Sequence, residues 1–278
     1  MTAISSATRE KIKGFLEGFI HGLVTEYKGR VVSEIDPKSY LSQRSMEGRL
    51  KPFHAAIFPP ELLRINAFER GFSTRLGSTF EECARLIALE HHSDSQRGYN
   101  ISGKVSLSAL NEVERQVTFF EHATVKGISK PSLQQMVKAV LSARTKADLQ
   151  NRTFKADLYI LAFDGTKFLF EMKSPMPNKG QCLEVTQRLL RFHLAHGQPR
   201  PKVKAYFAMA YNPYGPKRED YRWPYARNYM PFDQAVLLGH EFWEIVGGPN
   251  TYEELLAIYQ EVGIEKGKNM IDALAFGF

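Results

Sequence analysis

Cysteine is scarce in this chain, with only Cys83 and Cys182 in 278 residues. That excludes a disulfide framework and a four-cysteine zinc site, and it suits a reducing compartment. Long apolar runs are missing as well. No stretch approaches the roughly 20 apolar residues that span a bilayer. The N-terminus has no apolar core leading to a small-residue cleavage site, so the expected location is cytoplasmic. No G-x-x-x-x-G-K-[ST] loop is present to cradle a nucleotide, and no G-x-S-x-G elbow to carry a nucleophilic serine. His240-Glu241-Phe242-Trp243-Glu244 has glutamate where a zinc-protease helix needs its second histidine. Glu90-His91-His92-Ser93-Asp94 has no second cluster to complete a metal site and reads as a solvated helix end. Repeats, low-complexity tracts and linkers are also absent. Residues 1–278 therefore read as a single domain with an N-terminal helical segment over about residues 1–50.

What is present is ordinary globular composition, 43% hydrophobic and 12% aromatic, enough for a substantial core. A formal charge of +7 fits a polyanionic partner without establishing one. Ile12, Phe15, Leu16, Phe19, Ile20, Leu23, Val24 and Tyr27 follow one-faced helical spacing. Gly14, Gly18 and Gly22 recur every fourth residue, a stripe that reads as a tightly packed helix, with a dimer contact as the alternative. Four prolines interrupt residues 30–70, at Pro37, Pro52, Pro59 and Pro60. Ser78 with Glu81 forms a capping-box pattern, predicting a helix from there to about His92. Strand or mixed structure is expected over 102–116, a helix over Ser132–Ala147, a helix after Lys179-Gly180 and a strand over 203–211. Residues 212–232 are aromatic, basic and without period, and a short strand and helices close the chain.

The stretch KADLYILAFDGTKFLFEMKSP reads as two apolar strands around Asp164-Gly165. Its polar residues are out of place in a core. Glu171 and Lys173 project to one face of the second strand, with Met172 on the other. Alone, Glu-x-Lys reads as a solvated ion pair. Here thirteen residues separate Asp157 from Glu171, and Asp157 stands on the neighbouring strand, giving D-x13-E-x-K. Two carboxylates, with the Met172 backbone carbonyl, are hard oxygen ligands suited to Mg²⁺. A lysine beside the cation can position, or help deprotonate, the water that attacks a phosphate. Register tests this. A two-residue Asp164-Gly165 turn sets Asp157 opposite Met172, on the wrong face. A three-residue Asp164–Thr166 loop pairs Asp157 with Lys173 and brings the three groups together, so the reading requires an odd-length connection or a bulge.

With FSTRLGSTFEECARLIA (72–88), FLFEMKSPMPNKGQ (168–181), AYNPYG (210–215) and GHEFWEIVGGPNTYEELLAI (239–258), the chain resembles type II restriction endonucleases of the Tde/Mja type that read GGNCC, from about residue 50 onward. The resemblance implies an α/β (α+β) PD-(D/E)xK core, a central mixed β-sheet flanked by helices. It implies a site-specific, Mg²⁺-dependent DNA hydrolase, with Mn²⁺ able to substitute and Ca²⁺ supporting binding only. It makes Asp157 and Glu171 metal ligands and Lys173 the catalytic lysine, with Glu81 or Glu82 as a fourth member. Ala156 stands where the pattern has proline, which weakens the pattern more than the mechanism. Lys179, Gln187, Arg188 and Arg191 are expected at phosphates. Asn212, Tyr214, Lys217, Arg218, Arg222 and Arg227 carry groups suited to base edges and backbone. Solvated surface positions are the alternative for each. The implied partners are double-stranded DNA, a second copy in a homodimer, and a cognate methyltransferase acting on the same site. Another nuclease of the same fold, for repair or junctions, and a non-catalytic DNA-binding protein are the alternatives.

Overall fold

The computed structural model describes residues 2–28, 52–196 and 202–276. It divides into two compact units, one of Phe80–Glu254 with the first residues to Ile4, the other of Ser5–Thr79 with Leu255–Phe278. The division falls inside two helices, α3 (Pro60–His91) and α10 (Thr251–Ile271). No break in composition marks it, which is why no linker is legible.

The larger unit holds a five-stranded sheet in the order β1 (Asp94–Ser106), β2 (Leu149–Leu161), β3 (Lys167–Met172), β4 (Val203–Met209), β5 (Val236–Leu238). β1–β2 and β2–β3 are antiparallel, while β3–β4 and β4–β5 are parallel. This is the expected mixed sheet with flanking helices. On one face α4 (Leu107–Lys126), α5 (Leu133–Ser142) and α6 (Lys179–His196) bury Val113, Phe120, Met136, Val140, Val185, Leu189 and Phe192 against Leu169, Ala205 and Phe207. On the other, Phe242 of α9 (His240–Gly247) meets Phe170 edge-on at 5.3 Å, and His92 meets Phe168 at 6.3 Å. Covered faces explain why β3, β4, β5 and the second half of β2 are apolar nearly throughout. They also make a carboxylate on β3 costly unless it is paired.

Several expected boundaries move. Over 102–116 the chain finishes β1 and turns at Ser106, whose hydroxyl accepts the Ala109 N–H at 3.3 Å and starts α4. The helix expected to Ala147 stops at Ser142, although its start is a capping box of Ser132 and Gln135. No helix starts at Ser78. α3 begins at Pro60 and runs through it, and the Ser78 hydroxyl donates to the Arg75 carbonyl at 2.7 Å. The pattern is local, and the surrounding helical residues outweigh it. Residues 212–232, read as aperiodic, contain a 3₁₀ turn (Arg218–Asp220), α7 (Pro224–Tyr229) and α8 (Phe232–Ala235). They are tied to the segment after β3, because Tyr221 Oη donates to the Pro175 carbonyl at 2.6 Å and Trp223 Nε1 to that of Pro177 at 2.7 Å.

In the smaller unit α1 (Ser6–Lys28) buries Ile12, Leu16, Leu23 and Tyr27 as its spacing predicts. Phe68, Phe72 and Leu274 pack near Leu23 and Tyr27. Gly14, Gly18 and Gly22 are exposed, and among the described residues a Cβ on any of them would meet nothing within 4 Å. The apolar stripe packs and the glycine stripe does not. Of the four interrupting prolines, Pro37 lies outside the described residues. Pro52 begins the short helix α2 (Pro52–Ile57) and Pro60 begins α3.

Candidate active site

The turn between β2 and β3 decides which groups meet. Gly165 takes φ 80°, its N–H reaches the Ala162 carbonyl at 2.9 Å, and the Ala162 N–H reaches the Thr166 carbonyl at 2.9 Å. Asp164 fixes the turn by accepting the Thr166 N–H at 2.9 Å. The connection is therefore odd in length, as the site requires, but its three-residue loop is 163–165 rather than 164–166. Pairing runs from Leu161↔Lys167 to Leu158↔Phe170. One position further, Asp157 falls opposite Glu171 instead of Lys173, on the same face. The shift is two residues, so the parity that matters is kept.

Glu171 is fully buried. Arg188 Nη1 lies 2.9 and 3.1 Å from its two oxygens, and Lys173 Nζ lies 3.0 Å from Oε1. Asp157 Oδ2 accepts the Met172 N–H at 2.8 Å, which holds the aspartate against the end of β3. Burial, then the charge of Asp157, push the Glu171 carboxyl above the usual range, against the pull of Lys173 and Arg188. Burial lowers the Lys173 ammonium, but the bond to Glu171 and the charges of Glu171 and Asp157 outweigh it and hold the group above its ordinary value. In this arrangement Lys173 is a hydrogen-bond donor to Glu171.

Glu81 and Glu82, adjacent on α3, go different ways. Burial and then Asp157 raise the Glu81 carboxyl, while Arg97 and Lys155 oppose. Glu82 is held low, first by its bond to Arg85 (Arg85 Nη2 to Oε1, 2.6 Å), and feels no comparable push from Asp157. Arg97, on β1, bridges the two at 3.1 Å to Glu81 and 3.3 Å to Glu82. Glu81 is thus the helix carboxylate that feels the charge of Asp157.

Asp157 carries charge repulsion to both Glu81 and Glu171, an arrangement a divalent cation relieves. Among the described residues no three His, Cys, Asp or Glu side chains converge as a ready-made cage. Mg²⁺ does not ask for one, since it keeps several waters and takes one or two carboxylates. The donor set fits.

The outlying expectations scatter. Arg188 lies on Glu171 and also on Glu184 at 2.9 Å. Gln187 and Arg191 both donate to Glu114 of α4, Arg191 at 2.8 Å. Lys179 pairs with Glu121 at 2.5 Å and stands over the Tyr229 ring. Asn212 is spent within its loop, donating to the Lys217 carbonyl and accepting the Tyr214 N–H. Tyr214 meets Tyr221 edge-on. Arg218 is a clamp, with Nε and Nη2 each 2.6 Å from the Glu241 carboxylate and the guanidinium over Phe232. Lys217, Arg222 and Arg227 are exposed, and Arg227 touches the Tyr221 carbonyl at 3.3 Å. Sequence reasoning missed Arg97 and Lys155, which reach the helix carboxylates from β1 and β2, and Arg85, which pairs with Glu82 three residues away on the same helix. His91 and His92 bond the Ala3 and Ile245 carbonyls, so they serve packing. A cavity of about 630 Å³ between α5, α6 and β4, walled in part by His193, does not include the carboxylates. Burial, then His196, hold that histidine down to about 4.

The chain matches the family model "Type II restriction endonuclease, HinfI" over residues 6–263. Three relatives from Herpetosiphon aurantiacus align over 98% of this chain and 99% of their own length. The type II restriction enzymes HgiEI and HgiBI are each 44% identical to it, and HgiCII is 42% identical. No solved structure matches.

Proposed function

Because the chain belongs to the HinfI family of type II restriction endonucleases, nucleases that act on DNA phosphodiester bonds, we propose that Asp157, Glu171 and Lys173 are its cleavage centre and form a PD-(D/E)xK core. The observation that carries this is Asp157 set opposite Glu171, with Lys173 Nζ 3.0 Å from the glutamate. The matching family is the HinfI one. The narrower likeness to Tde/Mja-type enzymes, and the GGNCC site it implies, belong to this proposal.

Type II restriction enzymes generally need a divalent metal, and Mg²⁺ is the one proposed. Asp157, Glu171 and the Met172 carbonyl would hold it. When bound it supplies positive charge against the charge gathering on the attacked phosphate. The protein does the rest. Lys173 donates to a phosphate oxygen and orients the attacking water. Glu81, whose raised carboxyl feels the charge of Asp157, accepts a hydrogen bond from that water. Arg188 leaves Glu171 for a backbone phosphate as the substrate arrives. Exposed Lys217, Arg222 and Arg227 are the candidates for guanine edges, where a bidentate pair discriminates by about 1–3 kcal/mol. A homodimer would present one centre to each strand of a two-fold site, and a methyltransferase of the same specificity would protect host DNA.

Incubation of the purified protein with plasmid and Mg²⁺, followed by sequencing of the ends, tests this. Discrete fragments ending at GGNCC or a close variant are expected. Random nicking would favour the repair or junction alternative, and binding without cleavage a non-catalytic role.

A further inference from the structure

β1 and β2 are each 13 residues long, yet β3 is 6, and β2 pairs with β3 only over Leu158–Leu161. The other half of the β1–β2 ribbon projects past β3. One of its faces is closed: Ile101 and Val105 are buried, and a Cβ on Gly103 would stand 2.6 Å from the Ala195 carbonyl of α6. The other face is open. Asn100, Ser102 and Lys104 pair across the ribbon with Lys155, Thr153 and Asn151, and all six are exposed. Around this end stand five cations, Lys104, Arg144, Lys146, Arg152 and Lys155, with Asp148 the one carboxylate among residues 95–111 and 143–156. Asp148 is engaged by the Ser108 amide and hydroxyl at 2.7 and 2.6 Å. None of the five cations has an ion pair with a described residue.

We propose that this open face is a sequence-independent cradle for the DNA backbone, with Lys104 and Lys155 each meeting one phosphate. The inference rests on the nuclease reading and adds a surface that reading does not use. Charge argues for a polyanion. Distance argues for the substrate itself, because at roughly 3.3 Å per residue Lys155 lies about 7 Å along β2 from Asp157, and Asn151 about 20 Å. Duplex DNA carries one charge per about 1.7 Å of axis, so a strip of that length spans more than half a turn beside the cut. The residue types argue for phosphate over base. Lysine acts as a point charge and lacks the fork that reads guanine, and Ser102 and Thr153 spend their hydroxyls on each other at 2.9 Å.

The test is the salt dependence of binding to a duplex without the recognition site, followed by fluorescence anisotropy with no divalent metal. Each phosphate contact contributes about 0.9 to the slope of log Kobs against log salt. Lys104→Gln/Lys155→Gln should flatten the slope by about 1.8, and either single change by about half of that. Lys126→Gln/Lys138→Gln, an equal charge change at exposed positions elsewhere in the unit, should leave it unchanged. A wild-type slope in the ribbon variant overturns the cradle, as does an equal loss in the control pair. If the wild-type protein itself fails to bind duplex DNA, the nuclease reading falls first and the cradle with it.

Discussion

Arg218 offers a sharp division between building the 212–232 loop and reading DNA. Its guanidinium makes two 2.6 Å bonds to Glu241, a third bond to the Val236 carbonyl, and lies 5.0 Å from the Phe232 ring centre. Glu241 in turn accepts the Leu238 N–H at 3.0 Å, so the clamp fastens the start of α9 to the loop. The side chains are 25% and 34% exposed. A fully exposed pair contributes about 0–1 kcal/mol, and removing one partner of a fully buried pair costs about 3–5 kcal/mol. This clamp lies between the two, so Arg218→Ala should destabilise by about 2 kcal/mol. For a domain of this size that lowers Tm by about 4–8 °C. A cycle of Arg218→Ala, Glu241→Ala and the double variant should recover a coupling of about 1–1.5 kcal/mol. Affinity for the cognate duplex, measured where each variant is folded, should change little. The reasoning is refuted if Arg218→Ala melts within about 1 °C of wild type and loses cognate binding about tenfold or more.

Lys173→Ala should abolish cleavage in a plasmid assay while retaining specific binding in a gel shift, since the proposed function puts the ammonium at the chemistry and not at a base. Glu81→Gln should slow single-turnover cleavage far more than Glu82→Gln; equal effects would refute the separation made by Arg85 on Glu82 and Asp157 on Glu81. Glu171→Gln should melt above wild type at pH 8 and lose that gain below the ordinary carboxylate range. The sign follows from a carboxyl raised on folding: its ionised form penalises the fold, and the penalty grows as pH rises from the unfolded value through the folded one. Arg188→Gln should tighten Mn²⁺ binding in the absence of DNA, read by electron paramagnetic resonance, because it removes a cation competing for Glu171. Unchanged or weaker binding would show that Arg188 does not compete there.

The D-x13-E-x-K hairpin was legible because its signals are local. Period-two alternation put Glu171 and Lys173 on one face, and Asp164-Gly165 marked the turn. The exact loop was not, because the Asp164 side chain selects it by capping Thr166, and that choice depends on geometry rather than residue type. The same limit explains Ser78. A capping box can be written into the middle of a helix, and only the continuation back to Pro60 shows that no end is there.

The cations of the site were illegible for a different reason. Arg97 stands 16 residues from Glu81, and Arg188 stands 17 from Glu171; each meets its carboxylate only after strand and helix have packed. No spacing rule joins them. Yet the cost of burying a carboxylate demands that such partners exist. Glu171 on a strand covered on both faces, with Asp157 opposite, implies compensating charge somewhere in the fold. That compensation also constrains the chemistry. Glu81, Asp157 and Glu171 face Arg97, Lys155, Lys173 and Arg188, so the charge at the site is already largely offset. A divalent cation gains little attraction from such a site until some of those side chains are drawn away. In the proposed cleavage centre the phosphates of a bound duplex would be the groups that draw them, which would tie cleavage to the presence of substrate.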